Sequence, residues 1–255
     1  MRLVPLDWKK AATVYPIELV VGCTIALLMG NERLEWQKRE HYFLNPKNFL
    51  NELFAYHGNQ IWTILFCGLA GLQWYLKTHI PDVIPRDVRT IVHNPTTSLI
   101  KQYIVKLILK NILLAVLFFF IDGIFILTGG SCSDHSGTYS AEKCRQNGAQ
   151  WEGGFDISGH FCFLVNISMI LWFELQHLKS WLIEEDMIKG VNVWCKAIIG
   201  TTIFTLATWN FILVITSIYY HKILEKVLGC AMGYVCPLIM YWLIPAHDNV
   251  RKILY

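Results

Sequence analysis

The sequence predicts an all-α, polytopic membrane protein with six transmembrane helices, and three observations carry that expectation. Apolar residues make up 54% of the 255 while Asp, Glu, Lys and Arg make up only 16%, against roughly 25% charged residues in a soluble domain. The 22 Lys and Arg and 19 Asp and Glu are too few to coat a water-facing surface around a core of that size. The apolar residues also gather into runs long enough to cross a hydrocarbon layer about 30 Å thick, which takes roughly 20 residues at about 1.5 Å each. The chain, 1–255, reads as a single membrane-embedded domain without an internal repeat. Its net charge of +3 is too small to argue for a polyanion, and nucleic acid is excluded as a partner.

The first run, 14–30, follows Arg2, Lys9 and Lys10 and so resembles a secretory signal. Pro16 and Glu18 interrupt it, and no small-x-small cleavage site precedes the charged stretch from Asn31 to Glu40, so it reads as an uncleaved anchor. The second, 58–76, is uncharged and closes on Trp74, Tyr75 and Lys77, an interfacial anchor pattern. The third, 107–128, has Asp122 as its one charge from Asn111 to Thr128; the fourth, 159–178, carries His160, Asn166, Glu174 and His177. The fifth and sixth, 197–220 and 227–244, contain no Asp, Glu, Lys or Arg.

Six crossings put both termini on one face. Of the 22 Lys and Arg, 14 fall on that face and 8 on the other, so the termini are expected in the cytosol. The loop 129–158 then faces the opposite compartment, where an oxidising lumen permits a disulfide between Cys132 and Cys144. The alternative is two free thiols in a surface loop. The other six cysteines lie in apolar runs and act as small hydrophobes. The sequon at Asn166 and Ser168 lies inside the fourth run, out of reach of glycosylation.

The stretch Gly153-Gly154-Phe155-Asp156-Ile157-Ser158-Gly159-His160 runs into the start of the fourth span. A glycine-rich turn leading into a helix start offers unpaired N–H groups and a positive dipole end, a ready anion site. The plainer reading is that Asp156 or Ser158 caps the helix and His160 is an interfacial polar residue. His221 ends the fifth span. The start of an even-numbered span and the end of the next face the same side, so His160 and His221 can meet. Two imidazoles at one mouth suit phosphoryl transfer, one attacking phosphorus and the other protonating the leaving oxygen. If the helix continues through His221, Glu225 lies one turn on and could hold its tautomer, and Lys222 and Lys226 could neutralise phosphate. The competing reading, a metal or haem site, lacks further Cys or His at ligand spacing. Glu18, Asp122 and Glu174 are ionisable residues inside spans and candidates on that ground, or else helix–helix hydrogen-bonding groups.

At Phe155-Asp156-Ile157-Ser158-Gly159-His160, and at Tyr220-His221 followed by Glu225-Lys226-Val227-Leu228-Gly229, the chain resembles the fat storage-inducing transmembrane protein family of the endoplasmic reticulum. Gly130-Ser131-Cys132, Lys143-Cys144, Gly148 and Trp151 are similar to its third loop, and Pro46-Lys47-Asn48-Phe49-Leu50-Asn51 to the stretch entering its second span. Glu174 stands where the family carries an acidic residue. The resemblance implies a fatty acyl-CoA diphosphatase that releases acyl 4'-phosphopantetheine and adenosine 3',5'-bisphosphate and supports lipid-droplet formation. It implies neutral and other membrane lipids, and proteins of the reticulum and lipid droplet, as partners. Through the family's likeness to lipid phosphate phosphatases it implies a similar helical core with no cofactor and no metal, in which His221 is the nucleophile and His160 the acid. Ser158, Gly159 and Asp156 are expected at the phosphates, and Asn48, Asn51 and Glu174 as polar groups facing the bundle or lipid. The Arg that those phosphatases carry six residues before the nucleophile is Ile215 here, which leaves Lys47, Lys222 and Lys226 as candidate neutralising cations. The alternative is a non-enzymatic scaffold that binds triacylglycerol or diacylglycerol between its spans.

Overall fold

A computed structural model describes residues 8–45, 47–79, 95–134, 137–184 and 192–254. Among the described residues the chain is all-α apart from one two-residue strand pair. Its long helices are α1 (Trp8–Met29), α3 (Gly58–His79), α4 (Pro95–Leu127), α6 (Gly159–Glu184), α7 (Val193–Tyr219) and α8 (Ile223–Leu238). Shorter helices are α2 (Asn31–Glu40), α5 (Ala141–Gln146) and α9 (Asp248–Leu254). Widened turns at Asn51–Tyr56 and Ile239–Leu243 extend α3 backward and α8 forward. Among the described residues five helical stretches are long and apolar enough to cross a membrane: Lys10–Met29, Leu99–Leu127, Gly159–Ile183, Val193–Tyr219 and Ile223–Ala246. The protein is therefore a multi-pass membrane protein.

Helix α6 is the centre of the bundle. From Phe161 to Ile170 nearly every side chain is buried, including Asn166 and Ser168, as expected for a helix apolar on all sides and surrounded by protein. The remaining long helices pack around it and turn their surplus apolar side chains outward: Ile17, Val20 and Leu28 on α1, Ile104, Ile112 and Phe119 on α4, and Phe204 on α7 are exposed. In water this would be a liability; against acyl chains it is the required surface.

The tightest packing is α6 against α8, and Gly229 and Gly233, one turn apart, allow it. A Cβ on Gly229 would lie 2.5 Å from the Ser158 carbonyl oxygen, and one on Gly233 would lie 2.7 Å from the Val165 Cβ. Small residues four apart let two helices in lipid approach to backbone contact. Gly229→Ala should lower stability by about 1–3 kcal/mol, read as an earlier thermal unfolding in detergent. It should also impair any activity that depends on the α6 start.

Helix α4 begins at Pro95, well before the expected start of the third run at 107. Lys106 and Lys110 lie within it and are fully buried. Lys110 donates to Asn59 and sits 4.1 Å from the centre of the Trp62 ring. The helix continues through both lysines because each charge turns into the bundle and finds a partner there.

The loop after α4 folds on itself. Ser131–Cys132 pairs antiparallel with Trp151–Glu152, Trp151 stacks on Phe125 with ring centres 4.4 Å apart, and Cys132 and Cys144 form a disulfide. Gly153 and Gly154 both have positive φ (80° and 55°), and a Cβ on Gly154 would lie 2.5 Å from the Phe125 carbonyl oxygen. Only glycine fits that turn, which brings the chain down from the hairpin onto the start of α6.

Candidate active site

A cavity of about 120 Å³ opens where α6 begins and α7 ends. His160, the second residue of α6, and His221, two residues past α7, both line it, with Asn45, Asn48, Asn51, Thr216 and Tyr220 as polar neighbours and Phe43, Phe211, Ile212 and Ile215 as apolar wall.

The chain does not continue as a helix through His221. Helix α7 stops at Tyr219, Tyr220 is extended, His221 adopts φ 57°, and α8 starts at Ile223 with Lys222 as its cap. The left-handed region costs a non-glycine residue of order 1 kcal/mol or more and is kept where the surroundings require it. Here it swings the imidazole back onto the Asp156 turn. His221 Nδ1 lies 3.1 Å from the Asp156 carbonyl oxygen and 3.3 Å from its Oδ2. Both are acceptors, so the neutral ring carries its proton on Nδ1 and its lone pair on Nε2. Glu225, expected one helical turn along the same face, instead accepts the Lys222 N–H at 2.7 Å as the cap of α8 and lies 3.8 Å from His221 Nδ1. Asp156 is the nearer orienting group.

His160 Nε2 lies 3.0 Å from Asn51 Oδ1, an acceptor that fixes the proton on Nε2. The two rings thus have opposite tautomers: one Nε2 bears a lone pair and the other a proton.

Ser158 is fully buried, with its hydroxyl 3.5 Å from the Phe161 N–H and its own N–H donating to the Glu225 carbonyl at 3.1 Å. It ties the starts of α6 and α8 together. Gly159 lies against Phe118, 3.3 Å from where a Cβ would stand. Ser158, Gly159 and Asp156 do not line the cavity, and neither do Lys47, Lys222 and Lys226. Lys47 and Lys222 are exposed; Lys226 is buried and donates to the Ser217 carbonyl at 2.5 Å. Asn48 and Asn51, expected toward the bundle or lipid, line the cavity. Asn48 braces the turn through the Phe43 and Asn45 carbonyls at 3.0 and 2.7 Å and accepts the Asn51 N–H at 2.9 Å. Glu174 lies 14 residues further along α6, roughly 21 Å from His160.

Two neighbours of the site were missed in the sequence. Asn45 is the first of three asparagines spaced three apart, ahead of Asn48 and Asn51, a pattern that could have marked a polar rim. Lys38 belongs to α2, and its ammonium lies 5.2 Å from the centre of the Tyr220 ring and 2.6 Å from Glu35. The hydrogen bond from Lys38 holds the Glu35 carboxyl below the usual carboxylate range. Burial pushes the Tyr220 phenol up to about 12, so it stays protonated and donates to the Leu44 carbonyl. Tyr219 donates to Gln37 at 2.8 Å, so that α2 and the turn after it are fastened over the end of α7. Among the described residues no group of three or more His, Cys, Asp or Glu is placed to hold a metal ion.

The sequence profile of the fat storage-inducing transmembrane protein family matches residues 39–198, a span that includes Asn48, Asn51, the hairpin loop and His160. The chain belongs to that family. As a member of the fat storage-inducing transmembrane proteins it is 42% identical over 264 aligned residues, covering 97% of this chain and 96% of the relative, to an acyl-coenzyme A diphosphatase of Saccharomyces cerevisiae. It is 30% identical over 48% of its length, and 47% of the relative's, to an acyl-coenzyme A diphosphatase of Schizosaccharomyces pombe. It is 25% identical over 79% of its length, and 72% of the relative's, to one of Xenopus laevis. No solved structure matches this member of the family.

Proposed function

We propose that this protein is an acyl-coenzyme A diphosphatase of the endoplasmic reticulum membrane, acting in the cavity that His160 and His221 share. The observation that carries the reading is that pair: two imidazoles, one opening α6 with a proton on Nε2 and one in the turn after α7 with a lone pair on Nε2, lining one cavity in a chain 42% identical along 97% of its length to an enzyme of that name.

Chemically, His221 Nε2 attacks one phosphorus of the pyrophosphate, forming a P–N bond as the P–O anhydride bond breaks. His160, entering the step as the imidazolium, gives its Nε2 proton to the leaving oxygen and is left as the neutral ring. A water then attacks the phosphohistidine, a P–O bond replaces the P–N bond, and His160 takes the water's proton. Asp156 holds His221 in the attacking tautomer and stabilises the positive charge the ring acquires. The products are acyl 4'-phosphopantetheine and adenosine 3',5'-bisphosphate. This division of labour between a histidine opening one span and a histidine ending the next is that of a lipid phosphate phosphatase-like core.

We read α3, 22 residues long, as a sixth span. Both termini then face the cytosol, and the active site and disulfide loop face the lumen, where an oxidising compartment keeps the Cys132–Cys144 bond. Acyl-CoA removal at that face would serve membrane lipid balance and lipid-droplet formation.

Purified protein given oleoyl-CoA should release adenosine 3',5'-bisphosphate and oleoyl 4'-phosphopantetheine in equal amounts, separated by mass spectrometry. Oleate and intact coenzyme A as products, or no turnover, would overturn the reading.

The cavity is lined by neutral groups, with Ile215 where the related phosphatases carry Arg, so substrate charge is met at the rim. Lys38, above Tyr220, is the cation positioned for it. Lys38→Gln should raise KM for oleoyl-CoA roughly two- to fivefold with kcat little changed, the effect of one solvent-exposed ionic contact, measured by initial rates at low salt.

A further inference from the structure

A second cavity, of about 520 Å³, lies at the other end of α6 between α4, α6 and the C-terminal turns. His177 lines it, 17 residues from His160 and so roughly 25 Å along the helix. The other polar lining groups are Gln102 and Lys106 of α4, Tyr241, and Arg251 and Lys252 of α9. Among the described residues its lining has three cations and no carboxylate, whereas the histidine cavity has no Lys, Arg, Asp or Glu.

Among the described residues two carboxylates lie nearby, and they leave that balance positive. Glu174 lies behind the wall, fully buried, and takes Lys106 at 2.6 Å, Tyr103 at 2.8 Å, Tyr241 at 2.5 Å and Gln73 at 3.1 Å. Asp248 binds Arg251 at 2.8 Å through a single guanidinium nitrogen, and both groups are about half exposed or more. The remaining guanidinium donors and the Lys252 ammonium stay with the cavity. A guanidinium fork beside ammonium and amide donors fits a tetrahedral oxyanion, and basic pockets between spanning helices at a membrane face hold phosphate headgroups.

We propose that this cavity binds the phosphate group of an anionic ligand, with Arg251 and Lys252 as its principal contacts and Gln102 and Lys106 at its floor. The site is separate from the histidine cavity, and the proposal holds whether or not the hydrolase reading does. Two sources share this chemistry, a phosphomonoester lipid headgroup and free phosphate.

The test uses the full chain in phosphatidylcholine nanodiscs, carrying His160→Ala and His221→Ala so that the first cavity cannot turn over the probe. Dioctanoyl phosphatidate and inorganic phosphate are titrated separately and in competition. Saturable binding that weakens about tenfold or more when Arg251→Gln and Lys252→Gln are added, the loss of two charge-assisted bonds, supports the site. Phosphatidate binding that millimolar phosphate leaves intact assigns it to a headgroup, whereas competition by phosphate assigns it to a soluble source. In an otherwise unaltered chain Arg251→Gln/Lys252→Gln should leave the unfolding temperature and oleoyl-CoA turnover as they were. Equal affinity with and without the two C-terminal substitutions, or binding of neither probe, overturns the proposal.

Discussion

Replacing His221 with Ala is expected to lower kcat for oleoyl-CoA by at least about 10³-fold, and replacing His160 with Ala by about 10²–10⁴-fold. The larger effect belongs to His221 because no other side chain can form the P–N bond, whereas water can stand in poorly for the proton His160 supplies. The geometry adds a second layer that a merely structural role for His221 would not produce. Its φ of 57° is strained for Ala and free for Gly, so His221→Gly should be as inactive as His221→Ala but more stable by about 1 kcal/mol or more. Added imidazole should restore part of the turnover of the glycine variant, since a small nucleophile can occupy the vacated place. Asp156→Asn keeps the main-chain carbonyl that accepts from Nδ1 and removes only the carboxylate 3.3 Å away. Its kcat should fall about tenfold with KM unchanged, the signature of an interaction made only in the transition state. If His221→Ala turns over oleoyl-CoA at the rate of the unaltered protein, the nucleophile is elsewhere.

The meeting of His160 and His221 was legible in the sequence because it follows from connectivity alone: a span that starts at one face and a following span that ends there bring those two positions together whatever the packing. The membrane class was legible for the same reason that apolar runs are, since length against bilayer thickness is a one-dimensional test. What escaped was set by contacts between distant segments. The break at His221 was invisible because Tyr220-His221-Lys222-Ile223 carries no Gly or Pro; the turn is imposed by Asp156, 65 positions earlier, and it moves Glu225 from orienting the ring to capping α8. The asparagine rim showed in the sequence only as a spacing of three; what places it is Asn48 binding the Phe43 and Asn45 carbonyls, a contact that no periodicity announces. Lys106 and Lys110 looked like the polar flank of a span because a lysine is normally a boundary marker; partners far away in sequence, Glu174 and Tyr241 for Lys106 and Asn59 and Trp62 for Lys110, make them interior residues.

Stability provides the second large effect. Glu174 and Lys106 are 0% and 2% exposed and 2.6 Å apart, so solvent screens their charges little. Forming such a pair recovers little more than the desolvation of its members, but removing one member strands the other. Lys106→Met leaves a carboxylate facing Tyr103, Tyr241 and Gln73, which solvate it in part. Glu174→Gln leaves an ammonium beside the Tyr103 and Tyr241 rings, 5.2 and 4.6 Å from their centres. Each single change should cost about 3–5 kcal/mol, seen as a large fall in unfolding temperature in detergent or as failure to accumulate in the membrane. The double variant Lys106→Met/Glu174→Gln removes both charges and keeps an amide oxygen to accept from the two tyrosines. It should therefore be more stable than either single variant, with a coupling of at least about 2 kcal/mol in the cycle. Simple addition of the two costs would mean that the pair is not what holds α4 to α6. The expected recovery would mean that the two charges matter only to each other.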